Sequence, residues 1–161
     1  MRQDARVTSA AEGLERVYRE EAPRLWRALV AYSGNPDIAS DALAEAFAQA
    51  LSAADRLRAP TRWIWHVAFR VAAGELKRHR ALTALDQTPP SSYVLPQPLD
   101  HVMRALASLS PNQRLAVVLH DYADRPTDEV ARTMGVSRAT VHVHLSQGRR
   151  RLRRLLEDKD A

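Results

Sequence analysis

The stretch TDEVARTMGVSRATVHVHLSQGRR, Thr127 to Arg150, decides the fold. It reads as a two-turn helix from Thr127 to Met134, with Asp128 and Glu129 at the positive end of the helix dipole. Gly135 can take a left-handed backbone and end that helix, and Ser137 can cap the next one. The second helix carries Val141, Leu145, Gly148, Leu152 and Leu155 on one face. A short helix, a glycine turn and a basic second helix make a helix-turn-helix. Its small core would be Val130, Ala131, Met134, Val136, Val141 and Leu145. On a helical wheel centred on Val141, the residues Ala139, Val143, Ser146 and Arg150 point outward, flanked by Arg138, Thr140, His142, Gln147 and Arg149. Small groups in the middle with longer polar ones beside them suit a helix lying in the major groove. Arg138, Thr140 and Gln147 can reach either base edges or phosphates. Arg149, Arg150, Arg151, Arg153 and Arg154 read as a phosphate clamp.

Upstream of this motif, Ser110-Pro111-Asn112-Gln113 combines an N-cap, a proline at the first helical position and the reciprocal Gln of a capping box. Leu115, Val118, Leu119 and Tyr122 then repeat at helical spacing. Leu99 to Ala107 is a weaker helix. Before it lies TALDQTPPSSYVLPQP, Thr83 to Pro98, with four Pro and no steady period, which reads as a tether between two folded units. Within it, Tyr93, Val94 and Leu95 are candidates to dock in a groove.

The N-terminal part predicts three helices. Ser9 and Glu12 suggest a capping box ahead of Leu14, Tyr18, Leu25, Leu29 and Tyr32 along one face. Gly34-Asn35-Pro36 is a stop and restart. The second helix turns Leu43, Phe47, Ala50 and Leu51 inward and carries Asp41 and Glu45 on another face. The third runs from near Thr61 to about Ala81. The whole predicts an all-α chain of two small helical domains joined by a Pro-rich linker, the C-terminal one a helix-turn-helix. The expected boundaries are 9–82, 83–98 and 99–157.

Charge is distributed unevenly. The 161 residues carry 24 Lys+Arg against 19 Asp+Glu, a net +5, but Arg56 to Arg80 holds seven basic residues against one acidic. Arg138 to Arg154 holds six basic residues and no acidic one. Two separated basic patches suggest one polyanion contacted twice. There is no Cys, hence no disulfide framework and no thiol nucleophile. Apolar runs are short and interrupted by charge, so no membrane insertion is expected. No phosphate-binding glycine loop, dinucleotide fingerprint or HExxH motif occurs. Ser110 and Ser137 serve better as caps than as nucleophiles, and no metal or cofactor is expected.

The chain as a whole resembles the bacterial RNA polymerase sigma factors of the sigma-70 superfamily, extracytoplasmic-function type. In "ALASLSPNQRLAVVLHDYADRPTDEVARTMGVSRATVHVHLSQGRRRLRRLL", Ala105 to Leu156, the family's region-four pattern is matched at Leu109, Pro111, Gln113-Arg114, Tyr122, Glu129-Val130-Ala131, Met134-Gly135-Val136-Ser137 and Leu145. In the N-terminal half, "VYREEAPRLWRAL" and "DALAEAFAQAL" are similar to the start of region two. "WIWHVAFRVAAGELKRHR" is similar to its helix for strand opening and −10 recognition. The resemblance implies a non-catalytic specificity subunit, bacterial and cytoplasmic, associated with the nucleoid when bound to polymerase. Asp41, Glu45 and Phe47 would meet the polymerase clamp helices. Arg56, Arg58, Arg62, Trp63, Lys77, Arg78 and Arg80 would serve the −10 element and the opened single strand, Trp63 stacking on bases while Trp65 is mainly buried. Arg138, Thr140, His142, Gln147, Arg149 and Arg150 would serve the −35 DNA, and the domain would also meet the polymerase flap. An anti-sigma factor is an implied partner, although no residue identifies it.

Some positions depart from the family. The segment between Asp55 and Trp63 is short where a flipped −10 base would be captured. Ala44 stands where Gln is common, Gly74 interrupts the third helix, and His142 and His144 replace basic residues. These leave two alternatives open: a stand-alone helix-turn-helix regulator, and a degenerate sigma relative that binds polymerase without opening DNA.

Overall fold

The computed structural model describes residues 1–86 and 97–158, and every regular element among them is helical. Helices α1 (Arg2–Ser33), α2 (Pro36–Ser52) and α3 (Pro60–Asp86) pack on one another. Helices α4 (Gln97–Ala107), α5 (Pro111–Val117), α6 (Thr127–Met134) and α7 (Arg138–Glu157) form the second group, with one π-helical turn, Val118–Tyr122, after α5.

The local signals at the element ends work as the residues dictate. Gly34 adopts φ 66°, its amide closes α1 on the Val30 carbonyl, and the Asn35 side chain accepts from the amides of Asp37 and Ile38. Ser110 and Gln113 form the reciprocal capping box of α5. Gly135 sits at φ 69° with the Val136 amide reaching back to the Ala131 carbonyl, and Ser137 accepts from the Thr140 amide at 3.1 Å. Two helix ends and three helix starts thus fall where sequence-local chemistry puts them.

Four expectations need correction. Helix α1 begins at Arg2, so Ser9 and Glu12 lie inside it and form no capping box. No Gly or Pro interrupts residues 2–8, and a helix anchored by packing further along propagates until something stops it. Helix α3 runs on to Asp86 and α4 starts at Gln97, so both ends of the expected linker are helical. The remaining residues 87–96, with Tyr93, Val94 and Leu95, lie outside the described residues. Leu51 is exposed, because the inward face of α2 is set by Ala42, Ala46, Phe47 and Ala50, and Leu51 lies past it in the last turn. Tyr122 is also exposed. The π-turn closes the Ala123 amide on the Val118 carbonyl, one residue further than an α-turn, and Ala123 takes the buried place.

The core of the first group is Leu25, Leu29, Ile64, Trp65, Ala68 and Phe69, with Trp65 stacked parallel to Phe69 at 6.1 Å. That of the second is Leu115, Val118, Leu119, Val130, Val141 and Leu145. The two groups also touch. One side chain that ties them is Arg114, only 4% exposed. Its guanidinium donates to the carbonyls of Leu106 (3.0 Å) and Leu109 (3.2 Å) in its own group and of Tyr32 (2.9 Å) in the other. Tyr32 lies in the last turn of α1, which has no basic residue of its own. Arg114 therefore supplies, from across the molecule, the positive charge that a helix C-terminus favours.

Candidate nucleic-acid and polymerase interface

Helix α7 presents its reading face to solvent. Arg138, Ala139, His142, Val143, Ser146, Gln147 and Arg150 are all exposed, Val143 by 52%. Beneath them Val141, Leu145 and Gly148 are buried. A Cβ on Gly148 would meet Val117 Cγ2 at 2.9 Å, so α7 and α5 approach more closely there than a larger residue allows. Three side chains predicted for DNA are already engaged. The Thr140 hydroxyl sits 2.9 Å from Ser137 Oγ within the helix cap. Gln147 accepts from the Gln113 amide group at 3.2 Å. Arg149 forks onto Asp121, Nε to Oδ2 at 2.8 Å and Nη2 to Oδ1 at 2.5 Å. That bond, with one from His120, holds the Asp121 carboxyl below the usual carboxylate range against the opposing effect of burial. Arg149 thereby braces α7 against the π-turn. Arg138, His142 and Arg150 remain outward. His144 is half-buried, and its Nδ1 has no hydrogen-bond partner among the described residues.

On α2, Asp41 and Glu45 are exposed on one face, separated by Ala44 and followed by Ala48. Glu45 accepts from Gln49 at 2.7 Å. Small alanines between carboxylates let a basic helical partner come near. Phe47 does not share this face. It is buried, with Tyr18 packed edge-on against it at 4.9 Å.

The basic residues of the 56–80 block are spread along α3 and the loop before it. Arg56, Arg58 and Arg62 cluster near its start, and Lys77, Arg78 and Arg80 lie about 24 Å further along the axis, at ~1.5 Å per residue. At 100° per residue Arg62 and Arg80 share a face and Lys77 lies near it, whereas Arg78 points nearly opposite and pairs with Glu75. Trp65 is buried and donates to Glu21 at 2.9 Å, while Trp63 is half-buried. The aromatic available at this edge is Trp63.

The same edge carries contacts that sequence reasoning missed. Glu129 of α6 accepts from Arg125 at 2.9 Å and lies 3.8 Å from Arg62. Arg125 stacks over the Trp65 ring at 5.2 Å. His66 Nδ1 meets Thr133 Oγ1 at 3.2 Å, and Arg24 donates to Asp124 at 2.9 Å. Burial, then Arg70 and Arg132, hold the His66 imidazole below its ordinary pKa. A weak signal was legible for Glu129, an acidic residue in the first turn of a helix beside an otherwise basic block. No group of side chains among the described residues could hold a metal ion, and no helix there is long and apolar enough to cross a membrane.

Residues 99–152 match the family model "Sigma-70, region 4". Across 91% of both chains, the protein is 26% identical to the RNA polymerase sigma factor CarQ of Myxococcus xanthus. It is also 26% identical to the ECF RNA polymerase sigma factor SigE of Mycolicibacterium smegmatis, over 90% of this chain and 62% of that protein. By sequence the chain is thus similar to RNA polymerase sigma factors, one of them of the ECF type. Its fold is shared with the sigma factor RpoE of Bartonella quintana, solved in complex with the anti-sigma factor NepR. That match has a TM-score of 0.75 at 21% identity, covering 91% of this chain and 98% of that one. CnrH, solved with the cytosolic domain of CnrY, matches with a TM-score of 0.71 at 21% identity over 98% of this chain and 97% of that one.

Proposed function

We propose that the chain is an ECF-type sigma factor of the sigma-70 family, a non-catalytic specificity subunit that binds core polymerase and directs it to promoters through separate −35 and −10 contacts, assisting the opening of DNA. The reading divides the chain into a region-two unit ending with α3, a linker between α3 and α4, and a region-four unit beginning with α4. The observation that carries it is the exposed basic face of α7, within the stretch that matches region 4. Arg138, His142 and Arg150, with Val143 available to a thymine methyl, would read or hold the −35 duplex. Arg149 supports that helix from Asp121, and Gln147 would exchange its bond with Gln113 for one to DNA. Asp41 and Glu45 would meet the clamp helices, and buried Phe47 would shape that face from behind. Arg56, Arg58, Arg62 and Trp63 would take the −10 strand at one end of α3, with Lys77 and Arg80 following the backbone along it. Arg78 would join them on leaving Glu75. As the fold relative RpoE was solved with the anti-sigma factor NepR, an anti-sigma factor is a partner to expect here as well.

The test is reconstituted transcription by core polymerase on a randomised promoter library. Added chain should select start sites that share two spaced elements. The double variant Asp41→Asn, Glu45→Gln should lower holoenzyme formation about tenfold while leaving duplex binding by the free chain intact. Binding of a palindrome by a symmetric dimer, with no selected start sites, would support the stand-alone regulator instead.

A further inference from the structure

A cavity of about 560 Å³ opens where the end of α1 and the start of α2 meet α3 and α4. Sites for small organic molecules commonly enclose about 300 to 1,000 Å³. Its wall includes no residue of α7 and neither Asp41 nor Glu45, so it is separate from the faces assigned above to duplex DNA and to polymerase.

The wall is of two kinds. Ile38, Leu76, Met103 and Ala107 give it an apolar surface, while His79, Arg80 and Arg114 are its basic groups, and no Asp or Glu lies on it. The imbalance is local. Arg78, two positions before Arg80, pairs with Glu75, whereas Arg80 is exposed and makes no ion pair among the described residues. Arg114 is 4% exposed and gives three of the five N–H bonds of its guanidinium to backbone carbonyls, which carry only partial charge. After burial, the charge of Arg80 is what lowers the Arg114 pKa. Two guanidiniums therefore oppose each other around a space that an anion would neutralise.

The charge selects the head of a ligand and the apolar surface selects its body. Inorganic phosphate would balance the arginines but leave Ile38, Leu76 and Met103 facing water. A neutral hydrocarbon would do the reverse, and an amphipathic anion does both. We infer that this cavity is a binding site for a medium-chain aliphatic carboxylate. The carboxylate would accept from the Arg80 guanidinium, the charge-assisted pairing that arginine makes best, with Arg114 adding positive charge behind it. The hydrocarbon would lie on Ile38, Leu76 and Met103, exchanging water for apolar contact. The inference stands apart from the promoter reading, which uses only Arg80 of these residues.

Octanoate is the probe, titrated into the full chain by calorimetry and by NMR of labelled methionine methyls. The sequence has three Met, and of Met1, Met103 and Met134 only Met103 lines the cavity. One-to-one, saturable binding should shift the Met103 methyl and leave that of Met134 in place. Acetate, which has the charge without the tail, should bind at least tenfold more weakly. Octylamine, which has the tail with the opposite charge, should not shift Met103. Arg80→Gln should lower octanoate affinity about tenfold. Thr83 is on the same wall, and its hydroxyl bonds only to the His79 carbonyl of its own helix. Thr83→Glu would place a carboxylate among the arginines and should abolish octanoate binding, whereas Thr83→Gln, of equal bulk, should keep it within about threefold. Absence of a saturable Met103 shift would overturn the inference. So would an equal shift with octylamine, or octanoate affinity unchanged in both Arg80→Gln and Thr83→Glu. These readouts need neither polymerase nor DNA, so they can fail without touching the promoter reading.

Discussion

Two of the three helix-interior glycines, Gly74 and Gly148, have opposite meanings. Gly74 lies in the middle of α3, and a Cβ added there meets nothing within 4 Å. Its cost is then only backbone freedom. Gly74→Ala should raise the unfolding free energy by about 1 kcal/mol in a urea titration. Gly148 faces Val117 Cγ2 at 2.9 Å, and Gly148→Ala should lower stability by about 1–3 kcal/mol by forcing α5 and α7 apart. The sequence marks both as helix glycines. It cannot distinguish them, because the atoms that decide the sign belong to another element. The same holds for Arg149, where the basic run is plain but its engagement by Asp121 across α7 and the π-turn is not.

At the scale of elements, caps were legible and faces only partly so. Asn35, Ser110, Gly135 and Ser137 act on amides and carbonyls a few residues away, so their roles survive any tertiary arrangement. Leu51 and Tyr122 fit the period yet end outside, one past the packed face of its helix and one displaced by the π-turn. The contact between α3 and α6 adds a pH dependence. His66 meets Thr133 of α6, and burial, then Arg70 and Arg132, disfavour its charged form. Its folded pKa is depressed, so the unfolded or parted state binds the proton more readily. Closure is favoured in full above the ordinary histidine pKa of about 6.5 and weakens as pH falls through that value toward the lower folded one. Energy transfer between dyes on α1 and α7 should report opening over that window. In His66→Gln the response should flatten, and an unchanged acid response in that variant would exclude His66 as its source.

For the whole molecule, Arg114 sets the relation of the two helical groups. Its charge is buried, held by three backbone carbonyls, and shifted below the ordinary arginine pKa by burial and then by Arg80. Replacing it with Met takes that donor from all three, and the Leu106 carbonyl keeps its bond from the Leu109 amide. Arg114→Met should destabilise the protein by about 2–4 kcal/mol in chemical denaturation, at one to three per unsatisfied buried group with partial relaxation. Arg114→Lys keeps the charge but cannot fork to three acceptors. It should recover part of that loss and leave the groups less firmly closed in small-angle scattering.

The sequence by itself determined the helical class, the glycine-turned recognition motif, the caps and the two basic blocks. Each of these is written in spacing and in bonds between near neighbours, which a short window contains. Only the tertiary structure decided that Leu51 is outside, that Glu129 lies beside Arg62, and that Arg114 reaches the end of α1. Those outcomes depend on which surfaces exclude water from one another, and residues far apart in the chain meet only when the helices have packed.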